Sequence, residues 1–121
     1  MDTRAVIEHF YVGLGLKDAS WQRDLADDVA FSDASGRLRA EGRDAFINSF
    51  TGFIRAVEKV EVRSLIVDGP NAAAVVSYDY RNPKGDHLHQ DDAEVWRVQD
   101  GRIKALTIYF DITEFRSFMG R

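Results

Sequence analysis

The chain contains no cysteine, which excludes disulfide bridges, thiolate-held zinc and a cysteine nucleophile together. It also lacks a long apolar run. The longest, Ala72 to Val76, is of strand length, far short of the roughly 18 residues of a membrane-crossing helix. Positive charge is not in excess: 16 Lys and Arg stand against 20 Asp and Glu, for a formal net charge of -4. A global basic field of the kind that draws nucleic acid or an anionic membrane is therefore excluded. Met1-Asp2-Thr3-Arg4 carries no basic segment followed by the apolar core of a secretory signal, so the cytoplasm is the expected compartment. Repeats, linkers and low-complexity tracts are absent, as are a phosphate-binding glycine loop, a nucleophile elbow and a dinucleotide fingerprint. What the chain has in quantity is rings: eight Phe, four Tyr and two Trp among 121 residues. That length suits one domain, residues 1–121, with enough apolar matter for a core that needs no staples.

The apolar spacing predicts helices first and strands afterwards. Val6, Phe10 and Leu14 recur at a spacing of four within Thr3 to Lys17, with Thr3 as the expected cap. A short second helix is expected over Ala19 to Leu25. Phe46, Phe50, Phe53 and Val57 make Gly42 to Val57 the clearest helix. Two short strands, Val29 to Asp33 and Arg37 to Ala40, fall between the helices. After Val57 the period changes to two, and Val60 to Asp68, Ala72 to Arg81, His89 to Val98 and Ile103 to Asp111 read as four longer strands. Gln99-Asp100-Gly101 is the sharpest hairpin signal. Helices followed by an antiparallel meander make an α+β arrangement.

Both faces of Ile103 to Asp111 are apolar, which predicts that the second sheet face is covered, most economically by a second copy of the chain, or alternatively by a second covering layer. His87, His89 and Asp91 alternate on one face. That spacing could ligate a metal, but no second cluster completes a set, and a solvated or dimer-facing hairpin is the expected reading.

Three stretches resemble the nuclear-transport-factor-2-like superfamily, in its SnoaL-like polyketide cyclase and ketosteroid isomerase branches. They are Leu25 to Asp33 followed by Gly36, Gly42-Arg43-Asp44-Ala45-Phe46, and Glu94 to Ile103 continuing to Tyr109-Phe110-Asp111. The resemblance implies three N-terminal helices packed in a strongly curved antiparallel sheet with a mixed edge, forming a cone with an internal pocket. It also implies that Asp33 takes the place of the isomerases' general base, and Glu94 that of a buried acid that hydrogen-bonds the enolate oxygen. No cofactor or metal is implied.

A carboxylate facing an aromatic cavity has its pKa raised toward that of a working base; alternatively, Asp33 merely satisfies its own turn at Ser35-Gly36. Glu94 and Trp96 share one strand face, as do Val76, Tyr78 and Tyr80. If the resemblance sets the register, these residues, with Phe10, Phe31 and Phe110, line a pocket for a small hydrophobic molecule. Phe10 falls where the isomerases carry their donor Tyr. Tyr11, turned by about 100 degrees, is expected not to replace it. The functions implied are acid-base chemistry of isomerase or cyclase type on a carbonyl compound, or a non-catalytic ligand-binding or dimerisation module. An epoxide hydrolase would need an inward Arg, and Arg97 has the outward parity.

Overall fold

The change of period at Val57 is where helix gives way to sheet. The computed structural model describes residues 2–120. Its elements are α1 (Thr3–Leu16), a single 3-10 turn (Ala19–Gln22), β1 (Leu25–Asp33), β2 (Arg39–Glu41), α2 (Arg43–Ala56), β3 (Val57–Asp68), β4 (Asn71–Arg81), β5 (His87–Gln99), β6 (Arg102–Tyr109) and α3 (Ile112–Met119). The architecture is α+β, with one six-stranded sheet in the order β2-β1-β6-β5-β4-β3. The sheet is open, with β2 and β3 at its edges. It is mixed because β1 runs parallel to β6 while the other neighbours are antiparallel.

Helix placement departs from expectation in three ways. The segment after Ala19 makes only one turn, and the chain from Leu25 is already strand. The third α-helix is C-terminal, so the three are not all N-terminal. Its signals are in the sequence: Asp111 caps it by accepting from the Glu114 N–H at 2.9 Å, and Gly120 ends it in the left-handed region. Finally, α1 is capped by Asp2, whose carboxylate accepts from the Ala5 N–H at 2.8 Å, and not by Thr3.

The helices bury their apolar stripes on one face of the sheet: Val6, Ile7, Phe10, Tyr11 and Leu14 from α1, Phe46, Phe50 and Ile54 from α2, Ile112 and Phe115 from α3. The sheet meets them with Phe31, Val76, Tyr78, Tyr80, Trp96, Leu106 and Ile108. On the last strand, an irregularity opposite Arg97 and Val98 shifts the register, so Ile103 is buried along with Leu106 and Ile108. Simple alternation places Ile103 on the other face; a bulge reverses parity. At the β5–β6 hairpin, Asp100 and Gly101 both take positive φ, as the tight two-residue turn requires.

Gly13 is where α1 touches the following turn. A Cβ there would lie 2.6 Å from the Trp21 backbone nitrogen and 2.7 Å from Ser20 Oγ. Gly15 has only a Val60 methyl carbon at 3.4 Å. In a helix interior, Ala gains about 1 kcal/mol over Gly. Gly13→Ala is therefore expected to lower the thermal midpoint despite its better propensity, and Gly15→Ala to hold or raise it, as thermal unfolding followed by circular dichroism will measure.

Candidate active site

Alternation along β5 turns Gln90, Asp92, Glu94 and Trp96 to the helix-covered face, and all four are buried. On the neighbouring β4, Val76, Tyr78 and Tyr80 face the same way and are fully buried. Helix α1 lies across these strands and supplies Phe10 and Tyr11. Glu94 has no solvent exposure and is held by two phenols. Tyr11 Oη donates to its Oε1, and Tyr78 Oη donates to its Oε2 at 2.9 Å. The Trp96 indole N–H donates in turn to Tyr11 Oη at 3.1 Å.

This corrects the expectation for α1. Tyr11 does replace the donor that is missing at Phe10. The buried face of the helix is wide enough to include both positions, and the long phenol reaches where the backbone angle alone says it should not. Phe10 instead packs edge-on against Tyr11, Trp21 and Trp96, with ring centroids 4.8–5.9 Å apart.

Burial pushes the Glu94 carboxyl up to about 7, against the two phenol hydrogen bonds that favour its ionised form. Burial likewise raises Tyr11 and Tyr78 well above the ordinary phenol range, with the neighbouring Glu94 charge adding to it. Both phenols therefore stay protonated donors.

Asp92, one inward position before Glu94, is not among the site residues expected from the sequence, although it has the parity of Glu94. It is 1% exposed, and neither carboxylate oxygen finds a hydrogen-bond partner among the described residues; the same holds for Tyr80 Oη. Burial first, then the adjacent Glu94, lifts Asp92 to about 8. Asp92 is thus pushed toward its neutral form.

Asp33 ends β1. Its backbone pairs with Ile108, and Ile108 pairs with Glu94, so the two carboxyls stand in one cross-strand row. With strands about 4.8 Å apart, their backbones are roughly 10 Å apart. The electrostatics of Asp33 are opposite to those expected for a raised base. Burial alone would push it up, but the Ser35 hydroxyl and the Leu38 and Ser35 N–H groups outweigh that and hold it below the ordinary range. The Leu38 bond is 2.8 Å and the Ser35 N–H bond 3.1 Å.

The rings expected to line a hollow mostly pack against one another. Tyr78 and Tyr80 stack with centroids 5.6 Å apart, and Phe53 and Phe115 close over them at 5.0–5.6 Å. A cavity of about 50 Å³ lies beneath α3, lined by Phe31, Leu38, Phe50, Phe53, Phe110, Phe115 and Met119 among others. Of the expected lining residues, Phe31 and Phe110 face it. Phe10, Val76, Tyr78, Tyr80 and Trp96 do not line it; Tyr78 bonds Glu94 directly, and Trp96 bonds the Tyr11 that does so.

On the opposite face of the sheet, His89 sits between Asp79 (2.7 Å) and Asp91 (3.0 Å), while His87 faces Glu58 at 3.5 Å. Among the described residues no group of three or more His, Cys, Asp or Glu is placed to hold a metal, and no helix is long and apolar enough to cross a membrane.

The SnoaL-like domain family matches residues 7–106, most of the chain, and the chain belongs to that family. Among solved structures, a protein from Kribbella flavida DSM 17836 is 26% identical with a TM-score of 0.81, covering 96% of this chain and 92% of that one. A candidate ketosteroid isomerase from the same organism is 23% identical, TM-score 0.75, covering 90% of this chain and 77% of that one. A candidate SnoaL-like polyketide cyclase from Jannaschia sp. CCS1 is 12% identical, TM-score 0.82, covering 98% and 92%. At these last two identities the likeness is one of fold. No curated protein matches the chain.

Asp92 and Glu94 bind protons more tightly folded than unfolded, where Asp and Glu titrate near about 3.9 and 4.3. Their contribution is fully present below those values and is lost as pH rises through about 7 and 8. The urea midpoint is therefore expected to fall from pH 5 to pH 8. His89, raised by Asp79 and then Asp91, acts with the same sign, so the diagnostic comparison is Asp92→Asn, which flattens the slope while leaving His89 in place. Tyr11→Phe removes a bond that favours the ionised form, and a carboxyl ¹³C titration is expected to find Glu94 above its wild-type midpoint.

Proposed function

We propose that this SnoaL-like domain is a cofactor-independent acid-base catalyst for a small apolar carbonyl compound, moving a proton at the carbon beside the carbonyl. The observation that carries this reading is the division of three inward carboxyls by their surroundings. Asp33 is held ionised by its turn, while Glu94 and Asp92 are pushed toward their neutral forms by burial. Carboxyls whose pKa values are driven apart are the usual means by which one site supplies a base and an acid together. The isomerase-like and cyclase-like neighbours support the same class of chemistry.

In this mechanism Asp33 accepts the proton from the α-carbon as the carbon–hydrogen electron pair moves into the enolate. Glu94 in its acid form, aligned by Tyr11 and Tyr78, hydrogen-bonds the oxygen where negative charge develops. Loss of one such donor costs about 10²–10³ in rate. Asp33 then returns the proton to a different carbon, completing an isomerisation without any other reagent. The two backbones stand roughly 10 Å apart with Ile108 between them in the row, so a ring that reaches both carboxyls lies over the Ile108 side chain. Access requires Phe53 and Phe115 to give way, because they separate the small cavity from Tyr80.

A second reading, that the domain works by associating with another copy of itself, is favoured by the uncovered face of the sheet. Ile66, Val75, Val95 and Tyr109 are 43–66% exposed there. Cross-strand pairing gathers them into two adjacent rows, Ile66-Ala73-Val95-Thr107 and Ser64-Val75-Ala93-Tyr109. Arg97 lies beyond one row and Asp91 beyond the other. Two copies related by a two-fold axis through this patch would set Arg97 of each opposite Asp91 of the other. The two readings are compatible.

The catalytic reading is tested with a β,γ-unsaturated cyclic ketone, following absorbance of the conjugated product. Wild type is expected to accelerate the shift, Asp33→Asn to abolish the acceleration, and Glu94→Gln to reduce it by about 10²-fold. Solvent-level conversion by wild type, or full activity in Asp33→Asn, overturns it. For association, sedimentation velocity is expected to give a dimer for wild type and a monomer for Val95→Glu.

A further inference from the structure

The acid and phenol pair at Glu94 has a neighbour built on the same plan. Tyr78 lies in the row of Gln90 and reaches forward along the strand to Glu94. Tyr80, two residues on, lies in the row of Leu88, and its ring stacks on that of Tyr78 with an interplanar angle of 15°. The residue one repeat before Glu94 is Asp92, and its charge is the first of those that act on the Tyr80 phenol. The plan is repeated, but the closure is not. Glu94 has both oxygens bonded, whereas Asp92 Oδ1 and Oδ2 and Tyr80 Oη, all buried, have no partner among the described residues.

Leaving buried polar atoms unpaired is destabilising, and a fold under selection for stability alone would replace them with apolar groups. Asp92 faces Val76 across the strand, so an aliphatic side chain of similar size would be at home there. Beside Tyr80 stand the rings of Phe53 and Phe115, and both line the cavity beneath α3. Tyr80 thus stands one ring away from that cavity, through Phe53 and Phe115.

We propose that Asp92 and Tyr80 form a second polar subsite, which binds a second oxygen function of a ligand whose carbonyl lies at Glu94. This rests on the catalytic reading above and narrows its substrate class. The substrate carries two oxygen functions on one small apolar skeleton, as in a diketone or a hydroxyketone. Inward positions two residues apart on a strand are separated by about 6.7 Å, so the two oxygens are spaced by a ring's width and are not vicinal. Asp92 in its neutral form donates to a carbonyl oxygen, and the Tyr80 hydroxyl donates to the same atom or accepts from a ligand hydroxyl. Asp92 is a specificity residue here, with no part in the proton transfer.

The experiment compares cyclohexane-1,4-dione with cyclohexanone, which differ only in the second oxygen, by titration monitored through ligand proton NMR line widths. Wild type is expected to bind the dione at least tenfold more tightly, and Asp92→Leu and Tyr80→Phe each to bring the ratio near one while retaining cyclohexanone. Equal binding of the two ketones by wild type overturns the subsite and leaves the carbonyl site standing. Failure of wild type to bind either ketone overturns both. A measurement without ligand stands beside this. If Asp92 serves a ligand, Asp92→Leu folds with a thermal midpoint at pH 7 at or above that of wild type. A lowered midpoint, or failure to fold, shows that Asp92 is held by the protein and overturns the proposal.

Discussion

The enclosure of the Glu94 carboxyl between Tyr11 and Tyr78 is the contact on which the arrangement of this molecule turns. A carboxyl without solvent needs hydrogen bonds to both oxygens, and here they come from different elements, one from α1 and one from β4. The contact therefore sets where α1 lies on the sheet. Once α1 is seated with Tyr11 over Glu94, Phe10 must fall among Trp21, Phe50 and Trp96, and that cluster in turn receives α2. A polar contact at the centre of the helix-sheet interface thus specifies how an otherwise aromatic, geometrically permissive core is assembled.

The same enclosure divides the chemistry of the inward face. Desolvation acts on every carboxyl there, but the local donors differ. Asp33 meets hydrogen-bond donors from its own turn and stays ionised. Glu94 meets two phenols and is poised near neutrality. Asp92 meets no donor among the described residues and is pushed furthest toward its neutral form. Three residues of nearly identical chemistry become three different groups through the number of donors each finds. The opposite face of the sheet has no such gradient; its acids are exposed and paired with His89, Ser77 and Lys104 neighbours as ordinary surface charges.

Much of this is legible in the amino-acid sequence. The switch of period at Val57, the α2 stripe and the Asp100-Gly101 turn all rest on interactions between near neighbours in the chain, and each is present in the fold. The shared face of Glu94 and Trp96, and of Val76, Tyr78 and Tyr80, follows from strict two-residue alternation. That alternation also contains Asp92, although the isomerase resemblance draws attention only to Glu94. The C-terminal helix is likewise signalled by Asp111, Glu114 and Gly120, but the apolar alternation from Ile103 carries a strand reading as far as Asp111, where the helix cap begins.

What the chain cannot show by itself are quantities that depend on several elements at once. Whether Tyr11 reaches the acid depends on how α1 is rotated against the sheet, which is set by packing and not by helical periodicity. The parity of Ile103 depends on a bulge opposite Arg97. The direction of the Asp33 shift depends on whether Ser35 and Leu38 fold back over its carboxylate. The sequence by itself determined the alternation that turns acids and phenols to one face, because backbone geometry enforces it residue by residue. Only the tertiary structure decided which of those acids finds a donor, because the donors lie 16 and 83 residues away along the chain and meet Glu94 solely through the packing of helix on sheet.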